Sequence, residues 1–336
     1  MTPAAKKRLL AVLKWTLTLV VFLFIGLELM KSSDEFRRFD WNLRYGWLAA
    51  AGLLYLAAYF PSSCFWHYVL RATGQRPTFF DSVRSFYLSQ LGKYVPGKAM
   101  VIVIRSALVS GPRVRASLAA AGVFYETFTM MAVGAFISAL LVFLKYGEHW
   151  KLSLLALGVM AASGVPLFPP VFRRVLKLFR VAKDDAAAWE KIDRLSWKTL
   201  PVGFVLMSVL WVAFGLFLWA SIRGLGVESG PLAEHAVLYV AVTAMAMVLG
   251  FAVPISPGGL GVREAILAAL LIPYLSTILS YPENAAIELD AKTLALVVSL
   301  AQRVVSIVAE LAAGALLLCF PRRRAAEESA APPPSA

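Results

Sequence analysis

Two stretches of this sequence gather residues able to hold an anion at the start of a helix. The first is Gln90-Leu91-Gly92-Lys93-Tyr94-Val95-Pro96-Gly97-Lys98, leading into an apolar run from Ala99 to Val109 that contains Arg105. The second is Pro254-Ile255-Ser256-Pro257-Gly258-Gly259-Leu260-Gly261-Val262-Arg263-Glu264, leading into Ala265 to Leu279. Each breaks a hydrophobic pattern with Pro and Gly, then opens a new apolar segment beside a basic residue. Proline within a helix removes a backbone hydrogen bond and clashes with the preceding turn, so the chain must kink or break at both places. The first N–H groups of a helix are unpaired and carry about half a positive charge. Glycines let such groups curl around a phosphodiester, and Lys98, Arg105 and Arg263 would add full charges beside them. The plainer reading is that Pro and Gly only kink closely packed helices. Recurrence of the device in two matching contexts favours a binding site.

Ionisable residues also stand inside long apolar runs. Glu126 lies about nine residues into one and Arg303 about ten into another, which puts each roughly 14–15 Å deep. A charge at that depth costs about 2.5–3.5 kcal/mol even on a lenient scale, so partners are expected. Glu126 with Arg303 is the expected pair, with Arg263 or Lys98 as substitutes. Glu310 follows Arg303 by two turns and shares its helix face. Such a pair either marks a functional site or simply holds a bundle together. Both roles place it in the protein interior.

The elements that must carry these residues follow from composition. Hydrophobic residues make up 60% of the 336 and charged residues only 16%, against roughly 45–50% and 25% in soluble domains. The apolar residues fall in long runs, and a spanning helix needs about 20 of them. Spans are predicted at Leu9 to Met30, Gly46 to Leu70, Ser117 to Leu144, Leu152 to Phe168, Leu200 to Ile222, Leu232 to Ile255 and Thr293 to Phe320. Ala265 to Leu279 is short for a full span. The first follows Lys6, Lys7 and Arg8 and is too long for a cleaved signal, so it reads as a retained signal-anchor.

The fold class is therefore all-α, a polytopic membrane bundle of 6–8 transmembrane helices. Residues 1–320 form one transmembrane domain. Its broken segments cover about 80–110 and 235–279 and read as re-entrant, in a candidate inverted repeat. Two re-entrant segments give six full spans; if the second crosses completely the count is eight. A loop over 171–198 reads as one or two interfacial amphipathic helices, and 321–336 as a disordered cytoplasmic tail.

The net charge of +13 does not imply nucleic acid, because the basic residues concentrate in alternate loops, from Arg71 to Arg115, from Arg173 to Lys198 and at Arg322–Arg324. That is the positive-inside pattern, with both termini cytoplasmic and the chain in the cell (inner) membrane. Lys31 to Arg44, on the predicted outer side, departs from it with four basic residues.

Other chemistry is excluded or weak. Gly92 to Lys98 nearly spells a phosphate-binding loop of the ATPase kind, but Ala99 stands where Ser or Thr should hold Mg²⁺, and Pro96 removes a cradling N–H. Asp184-Asp185 sits in a basic loop without an organised acidic cluster. His67 has no partner at ligand spacing, Trp66 reads as an interfacial anchor, and His149 and His235 fall in predicted outer loops. Cys64 and Cys319 are expected to be small buried thiols. No metal, cofactor or catalytic constellation is expected, so the chain reads as no enzyme.

The two Pro/Gly motifs with Arg105, Tyr125-Glu126 and the run Pro257-Gly258-Gly259-Leu260-Gly261-Val262-Arg263-Glu264 resemble the flippase-like membrane proteins that include the membrane domain of lysylphosphatidylglycerol synthase. The resemblance runs from about Leu9 to Phe320 and implies transfer of a lipid between leaflets, aminoacyl-phosphatidylglycerol in the best-known members. Other relatives are linked to polyisoprenyl-phosphate sugar metabolism. Only 16 residues follow Phe320, which leaves no room for the soluble synthase domain.

Three functions are then in view. A flippase would hold the headgroup at Lys93, Tyr94, Pro96, Gly97, Lys98, Arg105, Pro257, Gly258, Gly259, Gly261, Arg263 and Arg303. Glu126, Glu264 and Glu310 would balance the charge or bind a lipid amine. An accessory protein would present lipid to a separately encoded lipid-modifying enzyme and show no flux alone. A purely structural protein would tolerate neutralisation of Arg105 and Arg263. The expected partners are membrane lipids in every case, and no nucleic acid.

Overall fold

A computed structural model describes residues 42–94, 100–146, 148–179, 181, 185–193, 195, 198–252, 261–285, 287 and 289–319. The predicted first span, the tail, Pro96, Gly97, Lys98, Pro257, Gly258 and Gly259 lie outside them. The described residues build helices and no strand. Five helices are long and apolar enough to cross a membrane, namely α1 (Tyr45–Ala72), α4 (Ala116–Tyr146), α8 (Thr199–Gly224), α9 (Leu232–Ala252) and α11 (Ala291–Leu318). The shorter helices are α2 (Phe79–Gln90), α3 (Met100–Val109), α5 (Trp150–Ser163), α6 (Pro169–Leu178), α7 (Ala186–Ile192) and α10 (Val262–Ile278).

The long helices are apolar on nearly all sides, so they bury aromatic and small residues inward and leave Leu53, Val205, Val209 and Leu311 facing out. That is the surface a hydrocarbon solvent requires. The α1–α8 pair is the spine. Tyr55 packs on Phe217 with ring centroids 5.1 Å apart, and Tyr59 on Phe214 at 5.2 Å. One hydrophobic core joins this spine to α2, α4 and α6, and a second joins the far half of α8 to α9, α10 and α11.

Two hairpins enter this frame from opposite ends. In the first, α2 and α3 have 12 and 10 residues, about 18 and 15 Å at 1.5 Å per residue, too short to span. Its two ends are tied together, since Arg76 N donates to Arg113 O at 3.1 Å and Arg115 N donates to Gln75 Oε1 at 2.9 Å. The second hairpin is α9 with α10, and its ends meet at the other end of α1. There Asn284 exchanges hydrogen bonds with the Glu228 backbone at 2.8 and 2.9 Å. Arg44 and Arg223 both donate to the Glu228 carboxylate. The two hairpins are unequal, because α9 alone is long enough to span.

The structure corrects several expectations. The predicted span from Leu152 to Phe168 corresponds to α5, of 14 residues, and a 3-10 turn, Val165–Leu167, and the chain bends by 62° into α6 only at the end of that run. Pro166, Pro169 and Pro170 cannot continue the α5 ladder. Helix α6 instead docks Phe172 and Leu176 on α4, with Phe172 against Tyr125 at 5.4 Å, and exposes Arg173, Arg174 and Lys177. With α7, it places two short helices in the basic loop. Trp66 is fully buried and is no interfacial anchor. His235 lies in the first turn of α9, not in a loop. Cys319, just past the end of α11, is exposed, and Cys64 is half-buried, so neither is the buried thiol expected.

Candidate functional site

The tips of the two hairpins converge on the middle of α11, and the interior charges gather there. At the first tip the chain leaves α2 through a 3-10 turn, Leu91–Tyr94. That turn presses against the start of α3. A Cβ on Gly92 would stand 2.9 Å from Ile104 Cδ1 and 3.1 Å from the backbone of Met100 and Val101. Only glycine lets the turn close so tightly, and closure aims Lys93 and Tyr94 at α11. Lys93 Nζ donates to Glu310 and, at 2.9 Å, to the Tyr55 hydroxyl. The Tyr55 hydroxyl also donates to Glu310 Oε1. Tyr94 Oη donates to Glu310 Oε2 at 2.7 Å. Both Glu310 oxygens are thus occupied by partners from α1 and the first tip.

At the second tip, Gly261 has φ of 80°, in the left-handed region that glycine occupies without penalty. Its N–H donates to Glu264 Oε2 at 2.7 Å, so Glu264 caps α10. The other oxygen faces Arg303 Nη1 at 3.6 Å. The Arg303 guanidinium lies 5.4 Å from the Tyr94 ring centroid. Arg303 therefore touches both tips. Its side chain is only 10% exposed, and Nε and Nη2 have no hydrogen-bond partner among the described residues. Leaving a buried donor unpaired costs about 1–3 kcal/mol, more when the group is charged. Arg263 forms no ion pair among the described residues, yet bears electrostatically on Tyr55, Tyr59 and Lys93.

Arg105 and Glu126 form a separate, closed unit. Arg105 Nη1 donates to Glu126 Oε2 at 2.9 Å and Nε to Ser89 Oγ at 2.9 Å. Ser62 donates to the remaining Glu126 oxygen. The guanidinium lies 4.0 Å from the Phe86 ring centroid and 5.5 Å from that of Trp66. Both side chains are 3% exposed. The expected Glu126–Arg303 pair does not form. Glu126 is served from its own neighbourhood by Ser62 of α1 and Arg105 of α3, while Arg303 sits against the second tip. The unit clamps four helices, and its cation is already satisfied.

The interior thus holds Lys93, Arg105, Arg263 and Arg303 against Glu126, Glu264 and Glu310, an excess of one cation among the described residues. The excess and the unpaired N–H groups lie between the tips, where an anion would complete them. Two features carried no signal in the sequence, and a third carried one that the reading passed over. Tyr55 and Tyr59, one turn apart on α1, sit inside an unbroken span and gave no signal beyond their shared face. Ser62 and Ser89 read as small packing residues. Gln302, an amide beside Arg303 in an apolar run, was visible as an intramembrane polar residue.

A helical bundle pierced by two opposed broken hairpins, with charged tips meeting in its interior, defines a polytopic membrane protein with an internal polar site. The chain belongs to the family described as the lysylphosphatidylglycerol synthase TM region, which matches residues 9–281. Helix α11, with Arg303 and Glu310, lies beyond the matched residues. No curated protein matches the chain.

Proposed function

We propose that this chain is a lipid flippase, carrying a phospholipid of the aminoacyl-phosphatidylglycerol kind or a polyprenyl-phosphate-linked lipid between leaflets. The observation that carries this reading is Arg303: buried, touching both hairpin tips, and with Nε and Nη2 unpaired among the described residues. A headgroup phosphate would take those donors, and Arg263 would add charge beside it. Both hairpins act as re-entrant segments in the membrane, approaching from opposite leaflets, so a site between their tips is reachable from either side by small tip movements. The Arg105–Glu126 clamp holds the frame against which the tips move. The protein performs no covalent chemistry. It resides in the cell membrane with its α6–α7 side cytoplasmic, where the basic face of α6 meets anionic lipid.

The test is lipid translocation in proteoliposomes, with labelled phosphatidylglycerol, its lysyl derivative and a polyprenyl phosphate, for wild type and Arg303→Gln. Selective flux that drops at least about tenfold in the variant supports a flippase. Lipid binding without flux for any substrate replaces this reading with an accessory protein that hands lipid to a separately encoded enzyme.

A further inference from the structure

The described chain begins at the mouth of an apolar groove. Leu43 and Leu48 at the start of α1, Leu225 after α8, and Leu300, Val304 and Val305 of α11 line a concavity of about 290 Å³. On α11 the groove runs on as a stripe of Leu300, Val304, Val308 and Leu311, whose spacing puts them on one face of the helix. Val304 and Val308 are each 59% exposed and Leu311 is 55% exposed. This face is turned about 100–120° round the helix from Arg303 and Glu310, so it backs the candidate site without joining it. Beside the mouth, Arg44 N donates to Gly224 O at 2.9 Å, which fixes the entry of the chain against the end of α8. Arg44 and Arg223 both donate to the one carboxylate of Glu228, and Arg223 Nε, buried, has no hydrogen-bond partner among the described residues.

We infer that this groove receives the first predicted span, residues 9–30, which lie outside the described residues, with Glu28 set beside Arg223. The inference does not depend on the transport reading. Chain connectivity names the occupant first: Leu43 is itself part of the groove wall, so the preceding chain arrives at the mouth. Residues 31–41 join it to the span and reach up to roughly 36 Å, enough to turn the span back along α11. Charge names it second. The ionisable residues of the span are Lys14 and Glu28, and Glu28 stands two residues from the end nearest the mouth. A carboxylate at that place demands a cation, and Arg223 Nε is a donor of the right charge. Shape agrees, since a helix laid between α1 and α11 sets its side chains into the groove they form. Close fit of this kind is what holds helices together in a membrane. Docked so, the span supports α11 from behind while the hairpin tips engage its inner face. It is then part of the frame of the candidate site and more than an anchor.

The experiment is disulfide cross-linking of the full chain in membranes. Cys64→Ser and Cys319→Ser remove the native thiols. Leu300→Cys or Val304→Cys is then paired with one cysteine at a time through residues 17–27. Val209→Cys, which is 52% exposed on α8, is the comparison. Product within one chain should form from Leu300→Cys and Val304→Cys at least about tenfold above Val209→Cys, the advantage of a fixed neighbour over a chance encounter. It should peak every three or four residues along the span. Glu28→Gln and Arg223→Gln should each lower the melting temperature, and the double variant should melt no lower than Arg223→Gln alone. Product of twice the chain's mass overturns the inference and gives the groove to a second copy. Absence of product, with a fluorophore on Val304→Cys quenched by a nitroxide-tailed lipid, overturns it and gives the groove to acyl chains. Equal or greater product from Val209→Cys overturns it as well, and additive losses from Glu28→Gln and Arg223→Gln overturn the placement of Glu28.

Discussion

The Tyr94 hydroxyl donates to Glu310 at 2.7 Å while its ring lies against the guanidinium of Arg303. One side chain at the first hairpin tip therefore engages two opposite charges on α11, two helical turns apart. A headgroup that draws Arg303 toward its phosphate must disturb this contact, which makes Tyr94 the link between occupancy of the site and position of the tip.

Tyr94→Phe keeps the ring over Arg303 and removes the bond to Glu310. Hydrogen bonds to charged groups are worth about 1.5–3 kcal/mol, so the melting temperature should fall by a few degrees and the first tip should become more accessible. Protease or thiol-probe accessibility of a cysteine placed near the tip reads this directly. Unchanged accessibility would mean that Lys93 alone holds the tip.

Lys93 and Glu310 are buried partners, 15% and 3% exposed at their side chains. Removing one leaves the other uncompensated, at a cost of about 3–5 kcal/mol. Lys93→Met and Glu310→Gln should each lower stability strongly, and the double variant should lose much less than their sum. Thermal denaturation of the four proteins in one detergent completes the cycle, and additive losses would contradict direct coupling.

For Arg105 and Glu126 the closed geometry predicts a structural phenotype. Arg105→Gln should reduce folded yield, and adding Glu126→Gln should restore a good part of it, because no charge is then left buried alone. Lipid binding by the restored double variant should match wild type. A well-folded Arg105→Gln that has lost binding would return Arg105 to the headgroup site.

Gly92→Val places a branched side chain where even a Cβ meets Ile104 and the backbone of α3. Overpacking of this kind costs about 1–3 kcal/mol or more. The variant should show raised tip accessibility, while a valine at Gly158, which has open space around it, should be silent. Equal behaviour of the two variants would show that the tip does not need its close approach.

The sequence by itself determined the class of fold and pointed to the residues of the candidate site. Long apolar runs admit only helices in a membrane, and each paired Pro/Gly break had to line protein, because freed backbone groups are not tolerated in hydrocarbon. Lys93, Tyr94, Arg263, Glu264, Arg303 and Glu310 were all legible on that ground, since a charge or polar group in such a run demands a partner. The bend that ends the Leu152–Phe168 run was legible in principle from Pro169 and Pro170, which follow it directly. Which partner each charge takes was decided only in three dimensions. Glu126 found Arg105, not Arg303, because the first hairpin folds its α3 limb against α4 while the second hairpin brings Glu264 to α11. Pairing depends on which helix faces meet, and helices that are apolar all round carry almost no periodic signal to say which face that is. The same ambiguity hid the place of Tyr55 beside Glu310 until the tertiary structure revealed it.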